Sequence, residues 1–280
     1  MIFVSSSCVK NKSILSSIYS LLAYGIKNIE LSGGTEFEEN LLSKILVLKQ
    51  QHDLNFRVHN YFPPPKEHFV LNLASLNDSI FSRTVDFYKE SIRFCIGLGI
   101  DTYSLHAGFF VDPHAESLGK KFCSLPVFNR TRAFARFCGG VDVLQKEFPQ
   151  VKLYVENNAL SKENYSVYKS KVLMLLDSQD WFELKDKLKC GLLLDIGHLK
   201  VTAKTLGLPI GIEMEQLSKE TDYFHLSDND GCNDQNLSLS NDSEIWGLLA
   251  GMKLGEKTLT LEVYENLSSV KNCIEKLEKF

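Results

Sequence analysis

Apolar positions along this chain follow two alternating rhythms. Short β-type runs recur from end to end: IFVSS (2–6), NIELS (28–32), FRVHN (56–60), TYSLHA (102–107), KLYVEN (152–157), GLLLD (191–195), YFHLSD (223–228) and TLTLEVY (258–264). Between them apolar residues return every three or four positions, as on one face of a helix. Ile14, Ile18, Leu21 and Leu22 form one such stripe, Leu41, Leu42, Ile45 and Leu46 a second, and Val270, Ile274 and Leu277 the last. Gly25, after SLLAY, marks a helix stop. Strand–helix alternation repeated eight times implies parallel pairing, because parallel neighbours need a crossover between them. Closed on itself, the sheet is an α/β fold of the (β/α)8 TIM-barrel type, with residues 1–280 as a single domain. A doubly wound open sheet is the alternative.

The connections are unequal. Helix-to-strand links such as AYGIKN and GLGIDT are short, whereas YFPPPKEHFVLNLASLN, AGFFVDPHAESLGKKFCSLP and NDGCNDQNLSLSND, after the third, fourth and seventh strands, are long. In a barrel these long loops gather at the C-terminal ends of the strands, where active sites sit. The three prolines at 63–65 stiffen their loop.

Composition narrows the class. The chain is 44% hydrophobic and 24% charged, with a net charge of −4, so no overall electrostatic pull draws it to nucleic acid. No apolar run approaches the roughly 18 residues that span a bilayer, and MIFVSSS lacks the features of a signal peptide. The seven cysteines are scattered with no C-x-x-C pair. They read as reduced thiols in a cytoplasmic protein.

Chemistry collects at the strand ends. The third strand ends at His59, the fourth at His106, the fifth at Glu156 followed by Asn157 and Asn158, and the sixth at Asp195 with His198 beyond it. The seventh carries His225 and then Asp228; the eighth carries Glu262, with Glu265 further on. Singly, Asp195 reads best as a helix cap, Glu156 and Glu262 as solvated strand ends, and His225 as a core histidine. Together, at equivalent positions on consecutive strands, they read as a site. Crowded carboxylates repel one another, and a divalent cation removes the repulsion. Glu156, Asp195, His225 and Glu262 offer a mixed oxygen–nitrogen set suited to one Mn, Mg, Co or Zn ion. His52, His68 and His114 are expected at the surface, and Lys120 and Lys121 in a solvated loop.

The motifs IELSGG (29–34), VHNYFPPP (58–65) with FVLNLAS (69–75), SLHAGF (104–109), VEN (155–157), LDIGH (194–198), HLSDNDG (225–231) and TLEV (260–263) stand in an order and spacing that resembles the xylose isomerase-like barrel superfamily. That superfamily includes sugar-phosphate isomerases and epimerases, ketose 3-epimerases and the endonuclease IV family. For the epimerase branch the resemblance implies that Glu156, Asp195, His225 and Glu262 bind one divalent metal. It also implies that Glu156 and Glu262 exchange protons with substrate carbon and that His198 contacts a substrate hydroxyl. For the endonuclease branch it implies that His59 and His106 bind further zinc ions, as would an Asp-x-His pair after the seventh strand. Here that pair reads Asp234 and Asn236, and asparagine is a poor zinc ligand beside imidazole.

Three functions follow. The leading one is a metal-dependent sugar or sugar-phosphate isomerase or epimerase. Its catalytic pair would be Glu156 and Glu262, working through an enediolate, with His198, His59, His106, Asn157 and Asp228 as candidate substrate contacts. The second is an endonuclease IV-like zinc phosphodiesterase, against which stand Asn236 and the acidic net charge. The third is a non-catalytic sugar-binding barrel. Expected partners are a small sugar or sugar phosphate and a second copy of the chain in a homo-oligomer, not nucleic acid or membrane.

Overall fold

The computed structural model describes residues 1–117, 120–122 and 124–279; Cys123 lies outside them. Eight strands form one parallel sheet: β1 (Ile2–Ser5), β2 (Asn28–Leu31), β3 (Asn55–Val58), β4 (Thr102–His106), β5 (Lys152–Glu156), β6 (Gly191–Asp195), β7 (Tyr223–Leu226) and β8 (Thr258–Leu261). Each falls within three residues of an apolar run read from the sequence. The order β3-β2-β1-β8-β7-β6-β5-β4 curls the sheet round until its two edges meet. There β3 and β4 touch through a parallel bridge between His59 and Ser104, reinforced by the Asn60 amide donating to the Ser104 carbonyl at 2.9 Å. The result is a nearly closed (β/α)8 barrel with helices between the strands. Among the described residues no helix is long and apolar enough to cross a membrane.

The period-two alternation of a strand explains both core and site. Leu192 and Leu194 of β6 face the helices and Leu193 faces the barrel axis, and all three are fully buried. Leu193 meets Tyr154 and Tyr223 from the neighbouring strands in an internal cluster. Each of these residues is followed, two positions on, by a polar group in the same inward row: Tyr154 by Glu156, Leu193 by Asp195, Tyr223 by His225. Thr260 and Glu262, Ser104 and His106, and Arg57 and His59 repeat the step. An apolar and aromatic layer thus supports a polar layer at the C-terminal mouth.

Helix faces match the apolar stripes. Ile14, Ile18 and Leu21 are buried in helix Ile14–Ala23, with Leu22 half-buried; in helix Leu267–Leu277, Val270 and Leu277 are buried as expected, while Ile274 is half-buried and Cys273 takes the buried place. Gly25 ends the first helix with φ +78°, a left-handed conformation that favours glycine.

Candidate metal centre and substrate cleft

Asp195 answers to both roles the sequence allowed. As N-cap of helix Ile196–Leu206 it accepts the His198 amide on Oδ1 at 2.7 Å. Its Oδ2 is buried without a well-aligned hydrogen-bond partner, as are Glu156 Oε2 and His225 Nδ1. Register brings these groups together: Asp195 is the neighbour of His225, and His106 of Glu156. Glu156 Oε2 lies 3.1 Å from His59 Nε2 and 3.0 Å from His106 Nε2, and Glu156 Oε1 lies 3.3 Å from His225 Nδ1. Glu262 Oε2 is 3.8 Å from the same His225 nitrogen. Asp195, His225 and Glu262 each offer a ligand atom within 4.8 Å of the others, as do Glu156, Asp195 and His198, and His59, His106 and Glu156.

The orphaned oxygens and nitrogen fit a cation. Buried polar atoms are costly unless paired, and here several face one another across a gap of metal-ligand dimensions. Carboxylate oxygens with imidazole nitrogen form a donor set for a divalent ion of the Mn, Co or Zn kind.

Electrostatics follow from burial and neighbours. Burial pushes the Asp195 carboxyl up to about 7 and the His106 imidazole down to about 4. Burial also raises Glu262. For Glu156, burial works against its charge, but His106, His59 and His225 outweigh it and hold the carboxyl well below the usual range. Burial likewise opposes a charge on His198, yet Asp195 and Asp234 raise its pKa well above that of a free imidazole.

The remaining sequence candidates have distinct places. His198 Nδ1 meets the Asn157 carbonyl at 2.7 Å, leaving Nε2 towards Asp234 Oδ2 at 3.2 Å. Asn157 clamps β5 to β6: its amide accepts from Asp195 N at 2.7 Å and donates to Asp195 O at 3.0 Å. Asp228 holds Lys200 at 2.7 Å and lines neither part of the cleft. Asn236 donates to Asp234 at 3.3 Å. His68, expected at the surface, is exposed but lines the cleft and contacts the Tyr61 hydroxyl at 3.2 Å. Lys120 and Lys121 are exposed. Glu30 is a site residue that escaped the sequence reading. Glu30 of β2 is fully buried, and its Oε1 lies 2.8 Å from His225 Nε2. A carboxylate inside the apolar run NIEL was the available signal.

Above the cluster opens a cleft of about 760 Å³ bounded by Ser7, Lys10, Gly33, His59, His106 and Glu262, among others. A cavity of about 310 Å³ adjoins it and shares Asn60, Tyr61, His106, His198 and Asp234. Its other walls are largely apolar, from Phe69, Leu71, Phe109, Phe122, Leu173 and Val201.

The fold recurs in solved structures. A D-tagatose 3-epimerase-like protein superposes with TM-score 0.72 at 16% identity, covering 99% of this chain and 96% of that one. The shared fold is the (β/α)8 TIM barrel. Within it, endonuclease IV from Thermus thermophilus matches with TM-score 0.65 at 13% identity, covering 100% of this chain and 99% of the other. A putative xylose isomerase from Rhodospirillum rubrum matches with TM-score 0.67 at 13% identity, covering 99% and 97%. No family model matches the sequence, and no curated protein does.

Proposed function

We propose that this xylose isomerase-like barrel is a cytoplasmic, divalent-metal-dependent isomerase or epimerase of a sugar or sugar phosphate. The observation that carries this reading is the approach of Glu156, Asp195, His225 and Glu262 to one another, with a buried oxygen of Glu156, a buried oxygen of Asp195 and Nδ1 of His225 left over. A cation held by these four would polarise a substrate carbonyl and offset charge building on its oxygen. Glu156 and Glu262, from β5 and from just beyond β8, supply two carboxylates for proton transfer. One takes the proton from the carbon beside the carbonyl. The other returns it, to the opposite face in an epimerisation or to the neighbouring carbon in an isomerisation. His198, pinned through Nδ1 by the Asn157 carbonyl, presents Nε2 to a substrate oxygen. A positioned general base contributes roughly 10²–10⁴-fold. Epimerases among the structural neighbours agree with this chemistry.

The test is deuterium incorporation from heavy water into a panel of ketoses and ketose phosphates, with Mn²⁺, Co²⁺ or Zn²⁺ supplied. Exchange at carbon next to the carbonyl is the expected result. Its absence across the panel, with metal bound, overturns the reading.

The second reading, a zinc phosphodiesterase, draws on the His59–His106–Glu156 triad as a further metal position. Asn236, in place of a histidine ligand, weighs against it. Two or three zinc ions per chain with incision of abasic DNA would favour it; one ion per chain favours the isomerase.

A further inference from the structure

We propose that Glu30 and Arg57, in the layer beneath the cluster, are positioning residues that hold His225 so that its Nδ1 faces the metal. The inference rests on the metal-dependent reading above and deepens it.

Glu30 and Arg57 are register partners on β2 and β3. The Glu30 carboxylate is fully buried, with Oε1 at 2.8 Å from His225 Nε2; this is an ion-pair contact, and neither atom has a well-aligned hydrogen-bond partner. Its Oε2 accepts from the Thr260 hydroxyl at 3.1 Å and lies 3.9 Å from Arg57 Nε. The Arg57 guanidinium sits over the Tyr223 ring, 4.0 Å from its centre, where an aromatic face favours a cation. Tyr223 is the inward residue two positions before His225 on β7. Side chains of β3 and β8 therefore bear on the β2 carboxylate that meets the imidazole edge.

A buried ion pair is a weak source of stability, and apolar side chains of similar volume often serve a core as well or better. The arrangement gains its meaning from the ring above it. A neutral imidazole carries one N–H and one lone pair. A carboxylate at Nε2 selects the Nε2–H tautomer, which leaves the lone pair on Nδ1. That nitrogen faces Glu156 at 3.3 Å and Glu262 at 3.8 Å, inside the ligand cluster. Metal-bound histidines commonly donate their other N–H to a carboxylate, which fixes the ring and makes it a better ligand. Arg57 places its positive charge 3.9 Å from the outer oxygen of Glu30, on the side away from the ring.

The experiment measures Mn²⁺ binding by calorimetry to metal-free wild type and Glu30→Gln protein, with thermal unfolding in chelator as the check on folding. Glu30→Gln keeps shape but removes the charge. The expected result is one Mn²⁺ per chain in both, with affinity 10–100-fold weaker in the variant. Equal affinity overturns the inference while leaving the metal reading intact; no binding to wild type overturns both. A second measurement needs no variant. ¹H–¹⁵N correlation of the histidine rings in Zn²⁺-loaded wild type should show His225 with a protonated Nε2 and metal at Nδ1. Metal at Nε2 overturns the inference.

Discussion

Nε2 of His106 lies 3.0 Å from Oε2 of Glu156, and the same carboxylate also meets His59 and His225. Glu156 is thus the acidic hub around which the imidazoles gather. Replacing it with Gln keeps its volume and removes the charge that would hold a cation. We expect Glu156→Gln to lower deuterium exchange by at least about 10²-fold, within the range of a lost general base. Stability should fall, because three imidazoles lose the charge they gather round, but the fold should survive since the amide fills the same volume. Thermal unfolding separates these effects. Under the proposed metal binding, an ion at 100 times its Kd would stabilise wild type by about 2.7 kcal/mol, and this increment should shrink or vanish in the variant. Exchange at the wild-type rate would remove Glu156 from the mechanism.

Asp195 permits a sharper dissection, because its two oxygens do different work. Oδ1 caps the helix through the His198 amide, while Oδ2 faces the cluster. Asparagine caps as well as aspartate, whereas losing a cap to alanine costs about 1 kcal/mol. In chelator, urea unfolding should therefore place Asp195→Asn about 1 kcal/mol above Asp195→Ala. Both should bind Mn²⁺ far more weakly than wild type. If Asn and Ala were equally unstable, the cap would be of no consequence.

All eight strands could be read in the sequence because each is an apolar run bounded by turn residues, and the loops told which end was the mouth. His59, His106, Glu156, Asp195, His225 and Glu262 were legible because each closes or follows such a run, where a charge needs a reason. Glu30 and Arg57 were not singled out. Each lies within a strand rather than at its end, where one polar residue reads as an ordinary outward position. The direction was recoverable for Arg57, since an inward His59 implies an inward residue two positions earlier. For Glu30 it needed the β2–β3 register, which the sequence does not carry. Asp234, by contrast, was noticed only for what accompanies it. Its partnership with His198 depends on how the 228–243 loop folds back, with Asp228 and Leu237 bridged.

Gly197, between Asp195 and His198, is required by space. A Cβ there would stand 2.7 Å from the Ser227 hydroxyl and 3.2 Å from Asp195 Oδ1. Gly197→Ala should cost about 1–3 kcal/mol through overpacking and shift the helical turn that carries His198, so exchange activity should fall with stability. Gly211 is the control. It lies in helix Ile210–Leu217, and an added Cβ there meets nothing within 4 Å. Gly211→Ala should stabilise by about 0.5–1 kcal/mol and leave activity unchanged. Chemical denaturation of the two variants beside wild type checks both signs; a neutral Gly197→Ala would show that the β6–β7 corner yields.

The thiols define an alkaline limit. Burial pushes Cys190 up to about 12 and Cys138 up to about 11, against about 8.5 for a free cysteine. The sign follows from proton counting. Above about 8.5 the unfolded chain gives up these protons while the folded chain keeps them, so the unfolded state binds fewer and stability falls as pH rises. The contribution is fully present below about 8.5 and is lost as pH climbs through about 11 to 12. Serine at both positions ionises in neither state over this range. Cys138→Ser/Cys190→Ser protein should therefore show a flatter decline in unfolding free energy between about pH 9 and about pH 11, above the free thiol value. Iodoacetamide at pH 8 should alkylate both thiols much more slowly in folded protein than in urea. Equal rates, or an unchanged alkaline slope in the double variant, would mean that both thiols ionise as readily in the folded chain as in the unfolded one.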